Sequence, residues 1–176
     1  MELRTPRLVL RDFTREDTPS VLAYQSKPAY LEHDDRPPPT EDDVRAFVEM
    51  LSQWAHEEPR AKYQLAITLE GRVIGTCGVR KASAGDTVAE YGCELDPAFW
   101  GHGYAHEASQ ALITFGFTTL GLKRLFALTR PQNRAAIRLA RALGFHGVSD
   151  ERYERGPAGP GASVGSEKVN VVPRPS

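Results

Sequence analysis

The stretch that most constrains this chain is Asp96 to Ala108, Asp-Pro-Ala-Phe-Trp-Gly-His-Gly-Tyr-Ala-His-Glu-Ala, because it joins two elements of different period through a turn bearing two glycines. Before it, Val88 to Leu95 is rich in β-branched and aromatic residues and reads as a strand, with Gly92 its sole breaker. After it, Ala105, Ala108, Leu112 and Phe115 recur at helical spacing and put an apolar stripe on one face. The order strand, Gly-rich turn, helix has a chemical use. The first four N–H groups of a helix lack partners within it, and the helix dipole adds roughly half a positive charge there. Gly101 and Gly103 have no Cβ, so the backbone can turn left-handed and a pyrophosphate can come close to the amides. A lone Gly-x-Gly is equally compatible with a helix entered through a flexible turn.

Three phosphate-binding schemes compete for the loop. A dinucleotide fold needs G-x-G-x-x-G in an early βα unit, but His106 stands at the third position and the loop lies past mid-chain. A P-loop needs Gly-Lys-Ser/Thr, and no such triplet follows Gly103. The third scheme is the acetyl-coenzyme A loop Q/R-x-x-G-x-G/A, which falls on Trp100-Gly101-His102-Gly103-Tyr104-Ala105. Here the chain resembles the GNAT superfamily of N-acetyltransferases. Trp at the first position, within Trp-Gly-x-Gly-Tyr-Ala-x-Glu-Ala, is similar to the RimJ/RimL-like, ribosomal-protein-type branch. The opening Leu3-Arg4-Thr5-Pro6-Arg7-Leu8-Val9-Leu10-Arg11 resembles the start of that branch, and Asn133 followed by Leu143-Gly144-Phe145 resembles its Asn-then-Gly-Phe helix. The three landmarks come in order and span about residues 3 to 150.

Composition sets broad limits. A chain of 176 residues that is 40% hydrophobic and 26% charged suits one globular domain, taken as 1–176 with a flexible loop at 156–166 and a tail at 173–176. A net charge of −1 argues against direct nucleic-acid binding by phosphate neutralisation. No apolar run approaches the roughly 20 residues of a membrane span, and no basic-then-apolar leader opens the chain, so a cytoplasmic protein without a membrane partner is expected. Cys77 and Cys93 form no metal pattern, and no metal site is expected. Homodimerisation is left open.

In order, Arg7 to Phe13 alternates as a strand, and Thr14 caps a first helix carrying Val21 and Leu22. Ser26 to Pro39, ending in three prolines, reads as a loop near the substrate end. Thr40, with Asp43 in the box position, caps a helix to His56 whose stripe is Val44, Phe47, Val48 and Leu51. Tyr63 to Leu69 and Val73 to Val79 make a hairpin, leading to the strand Val88 to Leu95. The loop helix stops at Gly121; a strand Arg124 to Leu128 and a helix capped by Asn133 follow, the helix closed by Gly144 and Phe145 in a Schellman turn. Phe145 to Arg155 is expected to be one strand and Glu167 to Val172 an edge strand. The fold class is α/β (α+β), a mixed, mostly antiparallel sheet flanked by about four helices; the resemblance implies the GNAT architecture, whose sheet splays at the cofactor site.

The resemblance implies an acyltransferase, an N-acetyltransferase moving an acetyl group from acetyl-coenzyme A to a primary amine, either a protein N-terminus or a small molecule. It places the pantetheine arm along Cys93, Glu94 and Leu95, the pyrophosphate on the amides of Gly101 to Ala105 within a cofactor-binding loop of Trp100, Gly101, His102, Gly103, Tyr104, Ala105 and His106, and a further contact at Asn133. A carboxylate in a dry cleft can deprotonate the amine. Glu90 and Glu94, four residues apart on one strand, share a face if no bulge intervenes and are the candidate bases. Acidic Glu32, Asp34 and Asp35 could attract an ammonium. The family's usual thiolate acids, a Ser three residues after the Asn or a Tyr seven after it, are here Ala136 and Ala140. Tyr104, Tyr91, Tyr153 or water could substitute, or the thiolate could leave unaided, since a thiol pKa of about 8.5 makes it a fair leaving group at neutral pH. The alternative reading is an acyl-coenzyme A-binding sensor with little or no turnover.

Overall fold

A computed structural model describes residues 1–32, 37–157 and 171–172. Among these, nine strands form one sheet: β1 (Glu2–Arg4), β2 (Val9–Asp12), β3 (Lys62–Leu69), β4 (Arg72–Arg80), β5 (Val88–Leu95), β6 (Arg124–Leu128), β7 (His146–Gly147), β8 (Arg152–Arg155) and β9 (Val171–Val172). Their spatial order is β7-β8-β6-β5-β4-β3-β2-β1-β9. Every neighbouring pair is antiparallel except β5 and β6, which run parallel and are joined by the crossover helix.

Five helices cover the sheet: α1 (Thr18–Gln25), α2 (Pro28–Leu31), α3 (Glu41–Trp54), α4 (Tyr104–Thr118) and α5 (Arg134–Ala142). Alternation along the strands divides the apolar residues between two cores. On one face Leu65, Ile67, Cys77, Val79, Ala89 and Tyr91 meet Ala108, Leu112 and Phe115 of α4 and Ala140 and Leu143 of α5. On the other, Ala66 and Val73 meet Val21 and Tyr24 of α1 and Val44, Val48 and Leu51 of α3. The α3 stripe is the one its spacing predicts, and Thr40 and Asp43 exchange the capping-box bonds, Asp43 N–H donating to Thr40 Oγ1 at 3.2 Å and Thr40 N–H to Asp43 Oδ2 at 2.9 Å. At the far end of α5 the Schellman close forms as expected: Phe145 N–H donates to Ala140 O and Gly144 N–H to Arg141 O, each at 2.9 Å, with Gly144 at φ +83°.

Several local expectations change. The segment from Ser26 is not all loop: Pro28 starts the one-turn helix α2, proline being well suited to a first helical position. Phe145 to Arg155 is a hairpin of β7 and β8 instead of one strand, because the polar run Ser149-Asp150-Glu151 turns the chain and Val148 N–H donates back to Arg152 O at 2.9 Å. The strand expected from Arg7 starts only at Val9, since Thr5 N–H donates to Leu8 O and closes a tight turn; this turn makes room for β1, a strand three residues long that its composition does not announce. The expected flexible loop at 156–166 lies outside the described residues from 158 onward, as do the tail and residues 167–170 of the expected edge strand; Val171 and Val172 do pair with β1.

Sheet register places the site. β6 pairs with β5 only through Val88, Ala89 and Glu90, and its later residues Ala127 and Leu128 pair with β8 on the other side. From Tyr91 to Leu95 the β6 side of β5 therefore opens into a wedge. No bulge interrupts β5, whose partners on β4 run without a shift from Arg80↔Glu90 to Gly75↔Leu95. The sheet's irregularity lies one strand over, at Ile74 of β4 opposite Ile67 and Thr68.

Candidate active site

Asp96 N–H donates to Ile74 O on β4 at 2.7 Å. Backbone groups alternate sides along an antiparallel strand, so Leu95 and Cys93 turn theirs towards the wedge. Trp100 confirms the direction for Leu95, its indole Nε1–H donating to Leu95 O at 2.9 Å. The wedge thus offers main-chain donors and acceptors to an extended, amide-bearing chain such as pantetheine.

The wedge runs into the start of α4. Gly101 and Gly103 adopt φ +79° and +80°, a conformation costing other residues roughly 1–2 kcal/mol. Space is not the constraint at Gly101, where a Cβ would meet nothing within 4 Å. Gly103 is the N-cap of α4 and has no side chain to fold back over the helix end. Among the described residues, no carbonyl or side chain accepts from the amides of Tyr104, Ala105 or His106. Three unfilled N–H groups at the positive end of a 15-residue helix are chemically suited to hold an anion.

That site has a support which sequence spacing did not assign. Glu107 Oε1 accepts from Thr5 Oγ1 at 2.7 Å and Arg7 N–H at 2.9 Å, and its Oε2 takes the Arg7 guanidinium at 2.7 Å. Arg7 also donates to His102 O at 3.0 Å and lies 4.4 Å above the Tyr104 ring. Desolvation pushes the Glu107 carboxyl up, but the bonds from Thr5 and Arg7 outweigh it and hold the group below its ordinary range. Two landmarks a hundred residues apart, Thr5-Pro6-Arg7 and the Glu of the loop helix, are therefore one clamp, which also brings a guanidinium beside the phosphate-sized space. His102 Nδ1–H donates to Trp100 O at 2.8 Å and its ring stacks on Tyr104; His106 is exposed on the helix surface.

The unbroken β5 register puts both candidate carboxylates on the face of the sheet that carries α1 and α3. Their surroundings differ. Glu90 pairs with Arg80 at 2.8 Å, and Arg80 is also bonded to Gln64 Oε1. Among the described residues, no cation pairs with Glu94. Its Oε1 accepts from Tyr24 Oη at 2.7 Å and Gln25 Nε2 at 3.2 Å, and its Oε2 from Tyr30 Oη at 2.5 Å. Burial first, then the charge of Glu94 and the bond to it, push the Tyr24 phenol well above its usual range, so it stays a donor. Two residues on, the buried carboxylate of Asp96 takes Lys27 Nζ at 2.6 Å and caps the short 3-10 turn Pro97–Phe99 through Ala98 N–H. The chain from Tyr24 to Tyr30 is thus fastened across the end of β5, which none of its residue types announced; aromatic residues with a polar tip on either side of Pro28 were the available signal. Of the three acids expected to attract an ammonium, Glu32 is exposed and Asp34 and Asp35 lie outside the described residues.

Asn133 Oδ1 accepts from Ala136 N–H at 3.0 Å and caps α5. Cys93 lies on the α4 face beside Tyr91 and Ser109, and desolvation pushes its thiol up to about 11, which disfavours a thiolate nucleophile. Tyr91 donates to Ser109 Oγ at 2.5 Å on the same face, Tyr104 lies beneath Arg7, and Tyr153 is buried under the β7–β8 hairpin. None of these three is bonded to Glu94. Among the described residues no cluster of His, Cys, Asp or Glu could hold a metal ion, and no helix is long and apolar enough to cross a membrane.

Comparison with known proteins gives the family and the fold. Residues 7–146 match the acetyltransferase (GNAT) domain family. The chain is 33% identical over 144 residues, 81% of each chain, to the uncharacterized N-acetyltransferase p20 of Bacillus licheniformis. It is 26% identical over 106 residues to the spermidine N(1)-acetyltransferase of Escherichia coli K12, covering 60% of this chain and 57% of that one. Its fold superposes with a TM-score of 0.73 on RimL, a ribosomal L7/L12 alpha-N-protein acetyltransferase in complex with coenzyme A, at 19% identity over 89% of this chain and 98% of that one.

Proposed function

Because the chain belongs to the GNAT acetyltransferase family and is an acyltransferase, we propose that it moves an acetyl group from acetyl-coenzyme A to a single primary amine, with Glu94 as the base. The observation that carries this reading is one continuous surface: the open edge of β5 at Cys93 and Leu95, the unfilled amides of Tyr104 to His106, and on the same strand a carboxylate that no cation among the described residues pairs. When bound, the co-substrate supplies an activated acetyl carbon. The chain's own residues do the rest. Amides of the loop from Gly101 hold the pyrophosphate, with Arg7 beside them. Backbone groups of Cys93 and Leu95 align the pantetheine, and Asn133 reaches it from the α5 side. Trp100 ties the loop to β5.

Glu94 outranks Glu90 as base because Arg80 already neutralises Glu90. The acceptor enters between the Tyr24–Tyr30 segment and β5. With Glu90 and Asp96 ion-paired internally, Glu94 is the one of these three carboxylates left for an ammonium, which suits one charged amine better than a polyamine. A protein N-terminus fits this, as does a small monoamine, and the Thr5–Arg7–Glu107 clamp joining two landmarks of the RimJ/RimL-like branch supports that placement. The chain is read as one domain throughout.

The test is coenzyme A release with acetyl-coenzyme A and a panel of amino-terminal peptides, monoamines and polyamines. Turnover with single-amine acceptors above polyamines is the expected result. Saturating co-substrate binding by calorimetry without release on any amine sinks the reading.

A further inference from the structure

The proposed reaction leaves one proton without a donor, since both positions from which an acid would come along α5 are alanine: Ala136, whose N–H is held by Asn133, and Ala140, which is buried. Of the tyrosines, Tyr91 is committed to Ser109 on the opposite face, Tyr104 is covered by Arg7, and Tyr153 is buried. We propose that Tyr30 protonates the departing thiolate, drawing its replacement proton through the Glu94 carboxylate. This rests on the acetyltransferase reading above and adds a second catalytic residue to it.

The arrangement of donors on Glu94 carries the argument. Oε1 is filled by two donors, Tyr24 and Gln25, whereas among the described residues Oε2 accepts from Tyr30 alone, which leaves it a lone pair for an incoming proton. A proton arriving on Glu94 therefore lands on the oxygen that Tyr30 touches. The two phenols are not equivalent. Tyr24 is 1% exposed and belongs to the core beneath α1 and α3, so it orients the carboxylate; Tyr30 is half-buried on the one-turn helix α2, its ring edge-on to Tyr24 with centroids 5.5 Å apart. Tyr30, unlike Tyr24, keeps part of its surface outside the core, and it is assigned to the reacting group for that reason.

The step balances. Starting from the neutral amine, its nitrogen lone pair forms the new C–N bond, and one N–H proton passes to Glu94 Oε2. The C–S bond breaks with its electron pair on sulfur, and the Tyr30 O–H proton goes to sulfur. The proton on Glu94 then moves to the Tyr30 oxygen. The products are an amide and a thiol, and the site ends with its carboxylate and phenol as they began.

The experiment compares wild type with Tyr30→Phe, using acetyl-coenzyme A and acetyl-seleno-coenzyme A with the best amine of the panel. The substitution keeps the ring, and calorimetry with acetyl-coenzyme A confirms that the variant is folded. The expected result is a kcat for the thioester lowered about 10- to 100-fold, at the low end for acid catalysis because a thiolate is a fair leaving group. KM for acetyl-coenzyme A should be unchanged, and the selenoester, whose more acidic selenol needs no proton to depart, should restore most of the rate. A Tyr24→Phe variant, if slowed, should be equally slow with both donors. The inference is overturned if Tyr30→Phe keeps kcat within about two-fold, or loses the same factor with both donors, or is impaired in amine KM alone. A wild type that turns over no amine overturns the acetyltransferase reading and this inference together, whereas an active wild type with an unimpaired Tyr30→Phe overturns only the role of Tyr30.

Discussion

The two ends of the β5 site are built from different material. At the proposed cofactor end the groups offered are main-chain: amides of Tyr104 to His106 at the mouth of α4, and the backbone of Cys93 and Leu95. At the proposed acceptor end they are side chains, Tyr24, Gln25 and Tyr30 from α1 and α2 converging on Glu94 from 64 to 70 residues away. A main-chain site depends on backbone path, so it tolerates exchange at positions such as His102 and fails when φ is altered. A side-chain site depends on chemistry at each atom, so it tolerates backbone-neutral changes nearby and fails when one oxygen is replaced.

The sharpest test of this contrast is Glu94→Gln. The amide keeps the shape but cannot take a proton, so kcat should fall by about 100- to 10,000-fold while acetyl-coenzyme A affinity stays within about two-fold of wild type. Calorimetry and steady-state kinetics on one preparation read both. An equal loss of affinity would mean that the two ends are not separable.

The converse variant is Gly103→Pro, which fixes φ near −65° where the loop needs +80°. Acetyl-coenzyme A affinity should drop on the order of 100-fold in a chain that circular dichroism shows folded, because the amides no longer converge. His102→Ala should change affinity by less than about three-fold, since it supplies backbone to the site. A large loss there would move the weight to side chains.

Lys27→Met removes the nearer cation on Asp96, leaving Arg72 at 4.0 Å, and loosens the Tyr24–Tyr30 segment without touching Glu94. The amine KM should rise by about three- to ten-fold and the acetyl-coenzyme A dissociation constant should hold, because Ala98 N–H still caps on Asp96. Initial rates over a matrix of both substrates separate these effects.

The smallest expected effect concerns the clamp. The folded-state pKa of Glu107 lies below its ordinary value, so it adds stability above the carboxylate range and loses it as pH falls through the folded value. Glu107→Gln should lower the unfolding midpoint by about 2 to 6 °C near neutral pH, and the gap to wild type should close below the usual carboxylate range. A gap that stays constant into acid would show that Glu107 acts through shape instead of charge.

How far this was legible follows the same division. β5 and β6 were readable to the residue, as were the Thr40 cap and the Gly144 turn, since each rests on local period or a local backbone bond. The glycine loop was readable because positive φ selects its residue type. The hairpin β7–β8 was read as one strand, and β1 and α2 were overlooked, because elements of two to four residues have too few positions to show a period. Glu94 was singled out together with Glu90 and could not be separated from it, since what distinguishes them is Arg80 beside one and two phenols around the other.

The sequence by itself determined the strand, turn and helix at the centre of the molecule and the glycines whose positive φ opens their junction, because these follow from bonds within a few residues. Only the tertiary structure decided where β5 and β6 part, which of the two β5 carboxylates Arg80 pairs, and that Thr5 and Arg7 lock the loop helix through Glu107. Each of those depends on groups far apart in sequence meeting through the shared sheet and its two cores, and a contact between distant residues leaves no period in the chain to be read.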